Sequence, residues 1–455
     1  MISLSDRRRL LLVDRFIIND LRDWKNSKRR KPLILRGARQ VGKTWILTEF
    51  GKEFNDGYVI INFDKHPEYH QFFETTKDVE RIIKNLSFAC GQKITRDTLL
   101  IFDEIQSCPS ALNSLKYFCE DAPWYYVACA GSLLGLTLSD GFPVGKVDFL
   151  DMGPMTFEEF LVANGDSMLV EYMKSIDAIE NIPDAFNSQL IEKLKMYFVI
   201  GGMPEVVKAW VEDMDIKAAE KMQQDILDAY ESDFGKHTPD FDVPKVRLIW
   251  QSLPSQLARE NKKFLYSAVK PGARAREYEN ALNWLKNANL VIKTSKVVKP
   301  GIPISGYEDL TSFKIYMNDV GLLRKHSHLA STAFVEENRL FTEFKGALTE
   351  NFVLRGLINS HEVIPYYWTD GVHEVDFIQQ IDNDIFPIEV KAGENIKGAS
   401  IKTYMKEYED NTKLAVRFSL RNLSLDGKFL NIPLYLIDEL DRLLEIALSV
   451  LDFNC

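Results

Sequence analysis

"LILRGARQVGKTWIL", residues 33–47, decides how the N-terminal part of this chain folds. Leu33 to Leu35 form a short apolar strand, Gly37-Ala38-Arg39-Gln40-Val41-Gly42-Lys43-Thr44 follows, and a helical pattern comes next. This is GxxxxGK[ST] between a strand and a helix, the context that gives the spacing its chemistry. Glycines let successive backbone N–H groups curl around a phosphate, and the helix N-terminus adds favourable positive charge. Lys43 is expected to reach the β- and γ-phosphates and the Thr44 hydroxyl to ligate Mg²⁺. The stretch therefore reads as a site for ATP and Mg²⁺.

Further along comes "TLLIFDEIQ", residues 98–106. Leu99 to Phe102 make a buried strand with Asp103-Glu104 at its C-terminal end, where ligands collect in α/β sheets. Asp103 suits an outer-sphere Mg²⁺ ligand, and Glu104 suits the base that polarises an attacking water. The strand "WYYVACAGS" ends at Ser132, which reads equally as a γ-phosphate sensor or a plain strand-to-loop cap. Apolar strands near 33–36, 58–63, 99–102, 125–130 and 147–150 alternate with helical stretches, so a parallel sheet covered on both faces is expected.

Composition bounds the rest. The 455 residues are 45% hydrophobic and 27% charged, which predicts a soluble protein of two to four domains. Asp14 interrupts the opening basic and apolar run, and no later run reaches membrane-spanning length, so no membrane partner is expected. Five cysteines without a CxxC pair read as reduced thiols of a cytoplasmic protein. Charge is uneven. Residues 244–300 hold twelve Lys/Arg against Glu260, Glu277 and Glu279, a net +9, so the remainder of this −10 chain carries −19. That asymmetry points to a polyanion partner, DNA foremost.

"RGARQVGKT", "LLIFDEIQ", "AGS", "MGPMTFEEF", "GGMPEVV" and "KIYMNDVGLL" together resemble the prokaryotic AAA+-superfamily ATPases that carry a C-terminal domain of unknown function. "GGMPEVV" (201–207) and "KIYMNDVGLL" (314–323) are the family-specific pair. One departure stands out: where that family commonly has Gly-Arg before "PMTFEEF", this chain has Gly145-Lys146. Lysine cannot reproduce a planar arginine fork, which puts any role in a neighbouring or internal nucleotide site in doubt.

The expected organisation is a P-loop ATPase core (1–160), a helical lid (161–243), a basic winged-helix-like module (244–300), a connector (301–337) and a C-terminal α/β domain (338–455). The winged-helix reading rests on three helices followed by "LVIKTSKVVKPG", taken as two short strands joined near Ser295, with Arg274 and Arg276 outside. In the last domain a helix carries Glu350, a strand carries Asp376 in "EVDFIQQI", and a strand carries Glu389 and Lys391 in "IFPIEVKAG". Helix-Glu, strand-Asp, strand-Glu-x-Lys resembles the PD-(D/E)XK restriction-endonuclease-like fold. That likeness implies Mg²⁺ on Asp376 and Glu389, assisted by Glu350, with Lys391 acting on water or phosphate. A structural ion cluster is the competing reading of the same residues.

Three functions remain in play. The first is an ATPase coupled to a DNA-binding or nuclease-like domain. The second is a nucleotide-dependent signalling or assembly module with a catalytically dead nuclease fold. A small-molecule kinase is disfavoured by the adjacent Asp103-Glu104 and the long region that follows.

Overall fold

The computed structural model describes residues 15–131, 142–237, 242–259, 262–334, 342–393 and 398–453. Ser132 lies outside them. The chain forms two compact units, one within Asp14–Gly153 and the other within Pro154–Lys286 and Val291–Cys455.

In the first unit, β1 (Leu33–Arg36), β2 (Tyr58–Asn62), β3 (Leu99–Asp103), β4 (Tyr126–Ala130) and β5 (Asp148–Asp151) build one parallel sheet in the order β2-β3-β4-β1-β5. The five strands fall where the sequence placed them. Every residue of β3 is buried, as a parallel strand covered by helices on both faces requires. Ile34, Ile61, Phe102 and Val127 join Ile82, Leu86 and Leu115 of flanking helices in one apolar cluster. This layering fixes the strand ends, and both nucleotide motifs sit at those ends.

The second unit starts with five helices, Phe157–Ala163, Ser167–Lys174, Asp184–Ile200, Pro204–Asp213 and Ile216–His237. Between the third and fourth, "GGMPEVV" stops one helix and starts another: Gly201 has φ +79° and Pro204 opens the next first turn. The Gly202 N–H donates to Asp319 Oδ2 at 2.7 Å, and the Met155 N–H donates to the Gly202 carbonyl at 2.6 Å. Asp319 also caps the helix Val320–His326 by accepting from the Leu322 N–H at 2.8 Å. A Cβ on Gly321 would lie 2.5 Å from the Ile200 carbonyl oxygen, and one on Gly202 would collide with that of Met155. Three motifs distant in sequence thus cross backbone against backbone.

The unit's sheet has eight strands in the order β12-β13-β11-β10-β9-β8-β6-β7. Their ranges are β6 Val291–Val297, β7 Glu308–Met317, β8 Tyr366–Thr369, β9 Glu374–Ile381, β10 Asp384–Val390, β11 Ala415–Ser419, β12 Ser424–Asp426 and β13 Phe429–Pro433. Two expectations are corrected here. The strand 291–297 runs through Ser295 without turning and pairs antiparallel with β7, so 301–337 is no mere connector. Nor is that hairpin a separate wing, because Lys296 and Val297 pair with Tyr367 and Trp368 of β8. Burial of most of β6 and of the second half of β7 suits a place within a larger sheet, where both faces are covered.

Candidate functional site

The phosphate loop is shaped by backbone that only certain residues tolerate. Gly37 has φ +151° and Gly42 φ +94°, and Gln40 also lies in the left-handed region. A Cβ at Gly37 would strike the Met152 carbonyl, so no side chain fits there. Buried Arg15 ties the loop to the end of β5 by donating to the Val41 carbonyl at 3.0 Å and the Gly153 carbonyl at 2.7 Å.

Lys43 opens the helix Lys43–Gly51 and turns its ammonium into the loop, donating to the Gly37 carbonyl at 2.9 Å and the Ala38 carbonyl at 2.7 Å. Burial pushes its pKa down to about 8, against the attraction of Glu104 and Asp103. Thr44 Oγ1 donates to Asp103 Oδ1 at 2.8 Å. Two hard oxygen groups so close suit Mg²⁺, which prefers a carboxylate and hydroxyl together with phosphate oxygens. Glu104 stands directly after β3 with φ +50°, and its Oε2 accepts from Gln106 Nε2 at 2.6 Å. A non-glycine residue in that conformation is held there by its surroundings. Lys43, Thr44, Asp103 and Glu104 therefore gather at one sheet end.

The C-terminal carboxylates are arranged differently. Glu350, on the helix Thr342–His361, is buried, ion-paired with Lys262, and accepts from the Tyr316 hydroxyl at 3.0 Å. Burial works to raise its pKa, but Lys262 and Lys314 hold it below the ordinary carboxylate value. Fully buried Lys314 pairs with Glu374 at 2.5 Å. Glu389 places one oxygen 3.2 Å from Lys391 Nζ and accepts on the other from Arg417 Nε at 2.8 Å. Asp376 accepts from the Val390 N–H at 2.8 Å, and burial, reinforced by the Glu350 charge, pushes its carboxyl up to about 7.

These residues do not fit a divalent cation. Among the described residues no group of three or more His, Cys, Asp and Glu side chains is placed to hold a metal. Around the expected set of Glu350, Asp376 and Glu389, the chain's own lysines and arginine pair with two of the three, and burial holds a proton on the third near neutrality. A metal needs several charged oxygens aimed at one point, and here they are aimed at cations.

Residues 29–161 match the model of an AAA domain. Its P-loop and parallel sheet make the first unit an AAA-type ATPase domain. Residues 191–333 match a domain of unknown function (DUF8612), and 345–437 match another (DUF4143). No curated protein matches the chain. Solved structures share low similarity. The Walker-type ATPase PABY2304 of Pyrococcus abyssi is 14% identical with a TM-score of 0.43, over 71% of this chain and 97% of that one. The Aeropyrum pernix ORC1 protein in complex with DNA is 12% identical at 0.28, over 74% and 96%. The Thermotoga maritima RuvB Holliday junction branch migration motor is 12% identical at 0.28, over 64% and 90%. No helix of the described residues is long and apolar enough to cross a membrane.

Within the AAA domain, Lys146 pairs with Glu120 at 2.8 Å. It precedes β5, whose Asp148 lies beside Leu33 at the start of β1, so Lys146 sits at the sheet end opposite the phosphate loop. Sequence reading missed Asn62, Lys262 and Arg417. Asn62 had a signal, being the one polar residue ending an apolar strand, "YVIIN", as Asp103 ends "LLIFD". Lys262 and Arg417 had none, since nothing near them in sequence names their partners.

Proposed function

We propose that this protein binds ATP through Gly37–Thr44, hydrolyses it with Mg²⁺, and uses nucleotide state to govern a second unit that holds DNA without cutting it. The observation that carries the reading is the 2.8 Å pair between Thr44 and Asp103 beside the loop-bound ammonium of Lys43. Thr44 and Asp103 would hold Mg²⁺, which would supply charge neutralisation at the phosphates. Lys43 leaves the loop carbonyls to face phosphate oxygens, and the loop N–H groups bind the β-phosphate. Glu104 takes the proton of the attacking water. The adjacent acidic pair favours transfer to water over transfer to a small-molecule hydroxyl.

The DNA part of the reading rests on charge. Arg247, Arg259, Lys270, Arg274, Arg276 and Lys286 are exposed, and Arg274 and Arg276 flank the start of the helix Ala275–Asn287. Lys245 and Lys262, by contrast, are spent on Asp242 and Glu350. The reading without cutting is supported by the cations paired with Glu350 and Glu389.

The test combines two measurements on the full chain. Lys43→Ala should abolish binding of ATP, read by fluorescence of a labelled analogue. Mobility shifts with duplex DNA should weaken steeply with salt, and Arg274→Glu with Arg276→Glu should flatten that slope by roughly two counterions. Unaltered ATP binding in Lys43→Ala overturns the first half, and salt-independent or absent DNA binding overturns the second.

A further inference from the structure

Directly before β1, "KNSKRRK" places Lys25, Lys28, Arg29, Arg30 and Lys31 within seven residues that contain no carboxylate. A cation run of that length suits nucleic acid where its surroundings supply the rest of a site. In the order β2-β3-β4-β1-β5, strands β3, β4 and β1 are neighbours. The loops that enter them, 93–97, 123–125 and 27–31, therefore lie side by side at the sheet end opposite the phosphate loop. With neighbouring strands about 4.8 Å apart, they cross about 10 Å of that end. Together they hold Lys28, Arg29, Arg30, Lys31, Lys93 and Arg96 against Asp97 alone, a net +5. Residues 15–153 have 19 Lys/Arg and 18 Asp/Glu, so the remainder of that range carries −4.

The same cations join the loops to aromatic rings. Arg30 Nη2 donates to the Pro123 carbonyl at 2.9 Å, and its guanidinium lies 3.7 Å from the Tyr126 ring centroid. The Arg96 guanidinium lies 4.6 Å from the ring centroid of Trp124, which stays 37% exposed. An arginine stacked on an indole steadies the ring without burying it. Flanking carboxylates are engaged elsewhere: Asp56 accepts from the Thr95 hydroxyl at 2.5 Å, Glu120 pairs with Lys146 at 2.8 Å, and Asp148 accepts from the Lys31 N–H at 2.9 Å. Lys28, Arg29 and Lys93 are exposed.

We infer that this end of the AAA domain is a contact for an unpaired nucleic-acid strand, with a base stacked on Trp124 and flanking phosphates on Lys28, Arg29 and Lys93. The inference goes beyond the reading above, since it needs neither ATP hydrolysis nor the Arg274 and Arg276 patch. Chemistry selects the partner. Unpaired bases offer flat faces, and an open aromatic ring among cations binds them whatever their sequence. A duplex keeps those faces inside its stack. An acidic peptide would engage the cations and leave Trp124 idle. A membrane surface takes up several apolar side chains, whereas Trp124 is the one exposed large apolar side chain in these three loops.

The experiment is fluorescence anisotropy of a labelled strand of about twelve thymidylates, within the span of one such site. It uses the full chain carrying Arg274→Glu and Arg276→Glu, so that the other basic patch is out of play. Adding Trp124→Ala should weaken binding roughly tenfold with the salt slope unchanged, and Trp124→Phe should restore most of it. Adding Lys28→Ala with Arg29→Ala should lower the log–log salt slope by about 1.4, at about 0.7 per phosphate contact on a single strand. Both residues are exposed and outside any helix or strand, so this readout stands even where Trp124→Ala fails to fold.

Undiminished affinity in Trp124→Ala, an unchanged slope in Lys28→Ala with Arg29→Ala, or no strand binding by the starting variant overturns the inference. So does displacement by polyglutamate as effective as by unlabelled strand, which would assign the surface to an acidic peptide. Binding to phosphatidylserine vesicles that Trp124→Ala abolishes would overturn it in favour of a membrane. Failure of the ATPase or duplex reading would leave all of these readouts unmoved.

Discussion

The phosphate-loop site and the C-terminal carboxylate cluster use the same materials, lysines and carboxylates on the ends of strands, to opposite ends. At the first, among the described residues, the Lys43 ammonium donates to backbone carbonyls and the Asp103 carboxylate accepts from neutral donors, Thr44 and Asn62. Charge there is left for a ligand to match. At the second, Lys262, Lys314, Lys391 and Arg417 are each ion-paired with a carboxylate of the same unit. A site that pairs charge with neutral dipoles can exchange partners, whereas one that pairs charge with charge is closed. Breaking such buried pairs is costly, though forming them adds little net stability.

The largest expected effect lies at the open site. Glu104→Gln spares shape and deletes the base, so ATP turnover should fall by roughly a hundredfold or more while binding persists. Equal turnover in the variant and wild type would erase the distinction between the regions. Next comes Lys262→Met, which leaves buried Glu350 without its cation. Its cost should be about 3 kcal/mol, read by denaturant unfolding, and millimolar Mg²⁺ or Mn²⁺ should not restore it. Recovery of stability by either ion would mean that Lys262 occupies a metal position after all.

The two regions should also titrate differently. Asp376 has a folded-state pKa raised to about 7, against an ordinary 3.8. The folded cluster therefore keeps a proton that the unfolded chain has lost. That contribution is full below about pH 4 and declines as pH climbs to about 7. Asp376→Asn should flatten the decline, so that its melting temperature at pH 8 equals or exceeds that of wild type. Lys43, lowered to about 8, works on ligand binding instead. Phosphate restores its charge, so ATP binding above pH 8 should take up a proton and weaken with rising pH. Calorimetry in buffers of differing ionisation enthalpy would detect that uptake.

The smallest effect sharpens the comparison most. Lys391→Ala should cost about 1 kcal/mol or less, because Lys391 is a third exposed and Arg417 still holds Glu389. Loss of folding in that variant would make Lys391, not Arg417, the main partner.

How far the sequence could be read follows from the range of the forces involved. All five strands of the AAA domain and the GxxxxGK[ST] loop are local patterns, in which spacing along the chain is spacing in space. The antiparallel pairing of β9 and β10, which puts Asp376 and Glu389 opposite each other, was legible for the same reason. Lys262 was not, because it reaches Glu350 from 88 residues away, and Arg417 reaches Glu389 from 28. Motif spacing reports which carboxylates assemble. It carries no information about which cations arrive to meet them, and that decides the chemistry. The supposed turn near Ser295 failed for a related reason: β6 is stabilised by β7 and β8, whose positions no local pattern reveals.

The crossing of Met155, Gly202 and Asp319 has a bearing on inheritance. Gly202 and Gly321 have no room for a methyl group, and the nearest obstacle to each is backbone of another segment, Met155 and Ile200, which cannot shrink in compensation. Asp319 meanwhile serves two segments with two oxygens, so its loss strands an N–H on each. Substitution at any one of the three cannot be repaired by a change at the other two. Such a junction is exchanged whole or not at all: a chimaera that takes 154–213 from one relative and 291–333 from another should fold only where both donors carry the same glycines and the same aspartate.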